Sequence, residues 1–333
     1  MIRRLSRFTG AAALFVLPFF TLTVPAQQQV PAAPPQEAAQ APSAPTPAAA
    51  PAFPKPDPAN FTASTPTRDV VNAFLQTTWG FEESRVWQVQ AIQKTPVEGL
   101  SKVTVLVGDK TGKQKSGGLQ FFVLPDNKHI IAGEEVLPFG EHPYAESRSE
   151  LQQSADGPYR GSASKDLELV EFADFQCPHC KEAQTNMDKL ATDFPKARIV
   201  FQNYPLAKIH PASVTAASYG VCVTKLGGSN AFFQYASAVF DGQEGLATSD
   251  GASLTLNSAV TKAGLDPAKV SACAATPETG AQVQASVKLA EALSVTQTPV
   301  LMVNGRPVPI GGLPYDTIKQ IVEFQAKLDG VGQ

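Results

Sequence analysis

An α/β chain with two folded parts is what the sequence predicts: a small α+β unit (meander plus helix) over 61–145, then over 167–330 a sheet with a large helical insertion. Three observations carry this. Apolar residues at 70, 71, 74, 75 and 79 recur at helical spacing and then give way to alternation with period two. A short apolar run, Leu167 to Phe172, leads into Cys177-Pro178-His179-Cys180 and a helical stretch. Near the end, Asn304-Gly305 separates two short strand-like runs, which is a strong hairpin signal. The chain's 333 residues suit about two domains, and 43% hydrophobic content is enough to build their cores. A charged fraction of 17% excludes a wholly disordered or coiled-coil chain.

The elements follow in order. Residues 1–26 have the form of a cleaved secretory signal: Arg3, Arg4 and Arg7, an apolar run from Ala11 to Val24, and Val24-Pro25-Ala26 before Gln27. The alternative is an uncleaved anchor, but the run is short and carries Pro18. With no cysteine after it, a lipoprotein anchor is excluded. A soluble mature protein, periplasmic or otherwise extracytoplasmic, is expected, where disulfides persist. Residues 27–60 are rich in Pro, Ala and Gln and hold ten of the 28 prolines. Such a segment cannot bury enough apolar surface to offset its ordering entropy, so a disordered tether is expected.

The unit over 61–145 starts with a helix from Asp69 to Trp79, with Thr67 as a possible N-cap. Four strands follow: around Trp87 to Ala91, Val103 to Val107, Leu119 to Leu124 and Lys128 to Ala132. His129 and His142 read as surface residues, and no catalytic constellation is visible there. The polar stretch 146–166 reads as a linker, partly helical at its start. In the second unit a strand over 167–172 is followed by a helix over 181–194, a strand over 199–203, an insertion over about 205–295, the hairpin and a closing helix from Leu313 to Leu328.

The chemistry lies in the cysteine pair. Disulfide exchange needs a thiolate that is ionised enough to attack and stable enough to leave. Cys177 falls at the strand-to-helix junction, where backbone N–H groups and the helix dipole favour negative charge. Pro178 suits a first helical position. His179 can add positive charge or a hydrogen bond. Cys180, one turn on, can resolve a mixed disulfide. The same spacing could be half of a zinc site, but no second such pair exists.

The segment Glu171-Phe172-Ala173-Asp174-Phe175-Gln176-Cys177-Pro178-His179-Cys180 resembles the active-site segment of DsbA-like thiol:disulfide oxidoreductases of the thioredoxin superfamily. The resemblance spans about 160–330 and implies a thioredoxin fold with a helical insertion. It implies that Thr298-Pro299 is the cis-proline loop that pairs with substrate peptide beside Cys177. It also makes Glu171 the buried acid that moves a proton to or from Cys180; a solvated strand residue is the other reading. Asp174 is read as structural. Cys222 and Cys273 lie in the insertion, which such families sometimes staple with a second bridge; a structural disulfide, buried free thiols and a second relay remain open. His210-Pro211 reads as a helix start and packing element. The segments Thr95 to Leu100 and Asp126 to Gly133 are similar to the N-terminal dimerisation domain of DsbC-type isomerases, which implies a homodimer through 61–145.

The resemblance implies an exported enzyme that forms or reshuffles disulfides in secreted proteins. Its partners would be unfolded or reduced secreted proteins and a membrane or soluble redox partner, with no cofactor and no metal. The Pro-His dipeptide points toward oxidation, whereas Thr298 and the appended domain point toward isomerisation. A redox-independent peptide-binding chaperone of the cell envelope is the alternative, and copper handling a third reading without Met-rich or extra His signals. Nucleic acid is excluded as a partner: the net charge of −3 becomes −6 once three N-terminal arginines leave with the signal, and no basic stripe is present.

Overall fold

The computed structural model describes residues 53–111 and 116–331. The expected signal and the tether up to residue 52 lie outside the described residues.

Helix α1 (Arg68–Trp79) is N-capped by Thr67, whose hydroxyl accepts from the Val70 N–H. Its buried face, Val71, Phe74 and Leu75, packs on an antiparallel meander of β1 (Arg85–Lys94), β2 (Ser101–Asp109), β3 (Gly117–Val123), β4 (His129–Ala132) and β5 (Glu135–Pro138). Alternation sends Val103, Val105, Phe121 and Val123 to this core. The fifth strand escapes sequence reading because it is four residues long, exposed, and begins with a charge. Residues 53–60, expected as the end of the tether, lie instead along β1. Gln90 donates to the Pro54 carbonyl at 3.0 Å, and a 3₁₀ turn at Pro58–Asn60 leads to Phe61, which bridges Ile92. Phe61 packs against the apolar core, an anchor that the proline content of the segment obscures.

The stretch 146–166 is no open linker. It holds α2 (Ala145–Ser154) and β6 (Tyr159–Gly161), the latter paired antiparallel with a strand of the second sheet. Only Leu151 of α2 is buried; removing such a side chain from water contributes about 1.5–3 kcal/mol, enough to dock a helix whose sequence is otherwise polar.

The second sheet adds β7 (Glu168–Ala173), β8 (Arg198–Asn203), β9 (Val300–Val303) and β10 (Arg306–Pro309), in the order β10-β9-β7-β8-β6. The central β7 is parallel to β8 and antiparallel to β9. One face packs on α3 (Pro178–Asp193) and α8 (Tyr315–Leu328) through Leu169, Ile199 and Leu301 against Met187, Leu190, Ile318 and Val322. The other face packs Val170, Phe172 and Val200 on Leu151 and on Leu289 of α7 (Pro277–Ala292). Covered on both sides, β7 has no exposed residue, which is why it reads as an apolar run rather than an alternation. Between β8 and β9 lies the insertion: α4 (Ser213–Asp241, interrupted at Gly228), α5 (Ser249–Lys262), α6 (Pro267–Ala274) and α7. This is the expected fold class, an α/β thioredoxin-type sheet with a helical insertion.

The β9–β10 hairpin turns at Asn304 and Gly305, both at positive φ (46° and 88°). A Cβ at Gly305 would lie 2.5 Å from the Arg148 N and Tyr144 O of α2, so only glycine lets that helix approach. From β10, buried Arg306 donates to the Thr77 and Thr78 carbonyls at the end of α1, at 2.9 and 2.6 Å. A cation there meets the negative end of the helix dipole. The same guanidinium lies over Phe81, which in turn meets Phe324 of α8 edge-on. The meander unit is thereby fastened to the second sheet.

Candidate active site

Strand β7 ends at Ala173, and a tight turn delivers Cys177 to the N-cap of α3 with Pro178 as the first helical residue. Helices α6 and α7 start the same way, Asp266-Pro267 and Thr276-Pro277, but there an oxygen side chain caps a backbone N–H. At α3 the capping position carries a sulfur with no fixed cap hydrogen bond; the His179 N–H faces it, and the Cys180 N–H, which also bonds the Cys177 carbonyl at 3.1 Å, does so as well.

Both thiols are free and buried. The Cys177 thiol donates to the Thr298 carbonyl at 3.6 Å. The Thr298–Pro299 peptide is cis. The Thr298 hydroxyl is buried with no hydrogen-bond partner among the described residues, leaving it free to donate to the sulfur once it ionises. The hydrogen bond from Cys180 is the largest influence on Cys177 and lowers its pKa. Burial opposes it, and the Thr298 hydroxyl and the N–H groups of Cys180 and His179 bring the value to about 5. Cys180 moves the other way. Burial and its bond to Cys177 push the thiol far up, and the Asp174 N–H reaches its sulfur at 3.4 Å. Ordinary pH therefore leaves one thiolate and one thiol a single helical turn apart.

Glu171 is buried on β7, so the solvated reading does not hold. Burial pushes its carboxyl up to about 7, against a hydrogen bond from Gln184 at 2.9 Å. Gln184 also donates to the Cys180 carbonyl at 3.1 Å, tying the acid to the turn that carries Cys180. His179 is exposed and its ring faces Glu182 at 3.0 Å, which raises its pKa; it reaches Cys177 through its backbone N–H.

Cys222 of α4 and Cys273 of α6 form a disulfide with Cα atoms 5.9 Å apart. Asp174 is fully buried and accepts from the N–H groups of Gln176 and Leu206 and from His210 Nδ1, each at 2.8 Å. The His210-Pro211 segment is thus pinned to the turn before Cys177. Sequence reading missed Gln184 and Gln243, the latter on the insertion and bonded to the active-site turn. Helical spacing from Cys180 could have found Gln184; nothing local marks Gln243. Among the described residues no group of three or more His, Cys, Asp or Glu is placed to hold a metal ion.

The sequence profile described as Thioredoxin matches residues 153–324. The chain belongs to the thioredoxin family. Solved structures of similar thioredoxin-like proteins include an oxidoreductase of Silicibacter pomeroyi, with 24% identity over 54% of this chain and 98% of that one, at a TM-score of 0.46. The catalytic domain of Proteus mirabilis ScsC aligns at 21% identity over 54% and 98%, with a TM-score of 0.45. The Wolbachia pipientis thiol-disulfide exchange protein alpha-DsbA2 aligns at 21% over 54% and 95%, with a TM-score of 0.46. Among curated proteins, the Na(+)/H(+) antiporter NhaA 3 of Salinispora tropica is 28% identical over 147 residues, 44% of this chain but 21% of that protein. The NhaA 1 antiporter of Salinispora arenicola matches at 29% over the same shares.

Proposed function

We propose that this thioredoxin-family chain is an exported thiol:disulfide oxidoreductase that forms or reshuffles disulfides in secreted proteins. One observation carries the reading: the free, buried Cys177 at the N-cap of α3, against the cis Thr298–Pro299 loop and one turn from Cys180, with buried Glu171 on the adjoining strand.

The reduced site acts in two steps. The Cys177 thiolate attacks one sulfur of a client disulfide; that bond breaks and the other client sulfur leaves as a thiolate. Cys180 then gives its proton to the Glu171 carboxylate and attacks Cys177 Sγ. This closes the Cys177–Cys180 disulfide and expels the remaining client sulfur. The client gains two electrons and the enzyme dithiol loses two. In reverse, a client thiolate attacks Cys177 of the enzyme disulfide, Cys180 departs and takes its proton from Glu171, and the client's second thiolate releases Cys177. A depressed Cys177 pKa stabilises the reduced enzyme, so the reverse direction, net oxidation of clients, is favoured. The cis Thr298–Pro299 loop lies against the sulfur, where its backbone can pair with the client peptide.

The exchange uses only cysteine sulfurs and a proton carrier, so this reading assigns neither cofactor nor metal. A redox partner must reset the dithiol. The extracytoplasmic location rests on the N-terminal arginines and apolar run. A homodimer through 61–145, in the manner of DsbC-type isomerases, draws support from the open edge of β5. There Val136 is 60% exposed and pairs with Ile131, extending an apolar row that starts at Phe122.

The test is oxidation of reduced ribonuclease, and reactivation of scrambled ribonuclease, by the full chain in glutathione buffer. The reading requires one of these activities and its loss in Cys177→Ser. A Cys177→Ala protein that still does all the wild type does, suppressing client aggregation without thiol exchange, would establish the chaperone instead. Sedimentation of the full chain and of Val136→Lys tests the dimer: a wild-type monomer removes it.

A further inference from the structure

The insertion touches the active-site turn through one side chain that the mechanism above does not use. Gln243 opens a 3₁₀ turn at Gln243–Ala247, just after α4. Its Nε2 donates to the Phe175 carbonyl at 2.8 Å and to the Cys177 carbonyl at 2.9 Å. These carbonyls flank the nucleophile's approach to the helix. Two further bonds close the contact: Gln176 donates to the Leu246 carbonyl at 3.2 Å and accepts from the Ala212 N–H at 2.8 Å. The Cys177 carbonyl also takes the Cys180 and Lys181 N–H groups, at 3.1 and 3.3 Å, as the first bonds of α3.

We infer that Gln243 is a positioning residue for the dithiol, an amide clamp from the insertion that fixes the 175–177 backbone so that Cys177 Sγ stays over the His179 and Cys180 N–H groups at the start of α3. Two donors on one rigid amide hold two peptide planes at once. They also occupy two carbonyl oxygens of the turn that carries the sulfur. With the clamp gone, the Phe175 carbonyl turns to water and the turn samples orientations in which the His179 and Cys180 N–H groups no longer converge on the thiolate. The insertion therefore helps set how strongly the reduced site holds negative charge.

The inference rests on Cys177 being the ionising sulfur of the proposed enzyme, and its test reads that sulfur directly. The ultraviolet absorbance of the thiolate is titrated against pH in the reduced full chain, in Gln243→Met, which keeps the length and loses both donors, and in Gln243→Glu. Losing a hydrogen bond of ordinary strength should move the Cys177 midpoint up by about half to one pH unit in Gln243→Met. Gln243→Glu should move it further, because its carboxylate adds like charge. The equilibrium with glutathione should shift by the matching factor, about three- to tenfold toward the enzyme disulfide. Melting curves of the oxidised proteins separate folding from positioning. Midpoints equal to wild type in both variants, whatever the melting temperatures, overturn the clamp. If Gln243→Met does not fold, Gln243→Glu decides alone by the same criterion. A wild-type midpoint in the ordinary thiol range sinks the parent reading, whereas a low wild-type midpoint that neither variant moves sinks only the clamp.

Discussion

The two cysteine pairs of this chain sit within one domain and in opposite physical settings. Cys177 and Cys180 are the two ends of a four-residue turn at a helix N-terminus, beside a cis-proline loop and a buried acid. Cys222 and Cys273 are 51 residues apart in sequence and join the middle of α4 to the end of α6, with the Thr279 hydroxyl as the polar neighbour of both sulfurs. The first environment separates the two thiols' affinities for a proton; in the second, the two sulfurs are bonded to each other and face the Thr279 hydroxyl in the first turn of α7. The same atoms are thus a pair of free thiols in one place, which the proposed function makes a reversible bond, and a staple in the other.

The sharpest way to break this contrast is to change the pairs separately. Cys177→Ser should abolish exchange with ribonuclease altogether, leaving the staple intact by thiol titration. Next in size, Glu171→Gln removes the proton carrier and should slow closure of the mixed disulfide by about a hundredfold, measured by quenched-flow trapping. The same change should help stability. Burial raises the Glu171 pKa from 4.5 to about 7, so the carboxyl carries no penalty below 4.5, and a penalty builds as pH rises from 4.5 to about 7 and is complete above it. Above that pH the Gln variant should be more stable by up to roughly 3 kcal/mol in urea melts, with the gain vanishing in acid. Cys177 contributes with the opposite sign. Its pKa is depressed from 9.0 to about 5, so the reduced wild type should gain stability over reduced Cys177→Ser as pH rises toward 9 and lose that gain as pH falls through 5.

For the staple, the double change Cys222→Ala/Cys273→Ala should cost about 4 kcal/mol by loop-closure entropy while ribonuclease turnover survives at low temperature. The smallest effect concerns the fastening of the meander unit. Arg306→Ala strands two carbonyls at the end of α1 and should cost about 1.5–3 kcal/mol, with faster proteolysis of the meander unit.

Much of this was legible in advance, and for identifiable reasons. The dithiol, its helix and the Asn304-Gly305 hairpin are local signals, written within a few residues and governed by caps and turns. Strand β7 reads correctly because burial on both faces leaves an unbroken apolar run. What escaped depends on contacts distant in sequence. Leu151 is one apolar side chain in a polar stretch, so the helical start of 146–166 reads as part of a linker rather than as a helix docked on the sheet; β6 is three residues whose identity comes only from pairing with β8. Gln243 reaches a turn 66 residues away through its side chain. Gln184, one helical turn beyond Cys180, is intermediate: its spacing is visible, but its acceptor on β7 is not.

The central claim is that α3 holds Cys177 as a thiolate while Cys180 stays protonated. Titrating the reduced full chain by thiolate absorbance, with Cys177→Ser alongside, tests it most directly. A single midpoint near pH 5 that disappears in Cys177→Ser is the expected result. A midpoint in the ordinary thiol range near 9, or one that survives in Cys177→Ser, would contradict it.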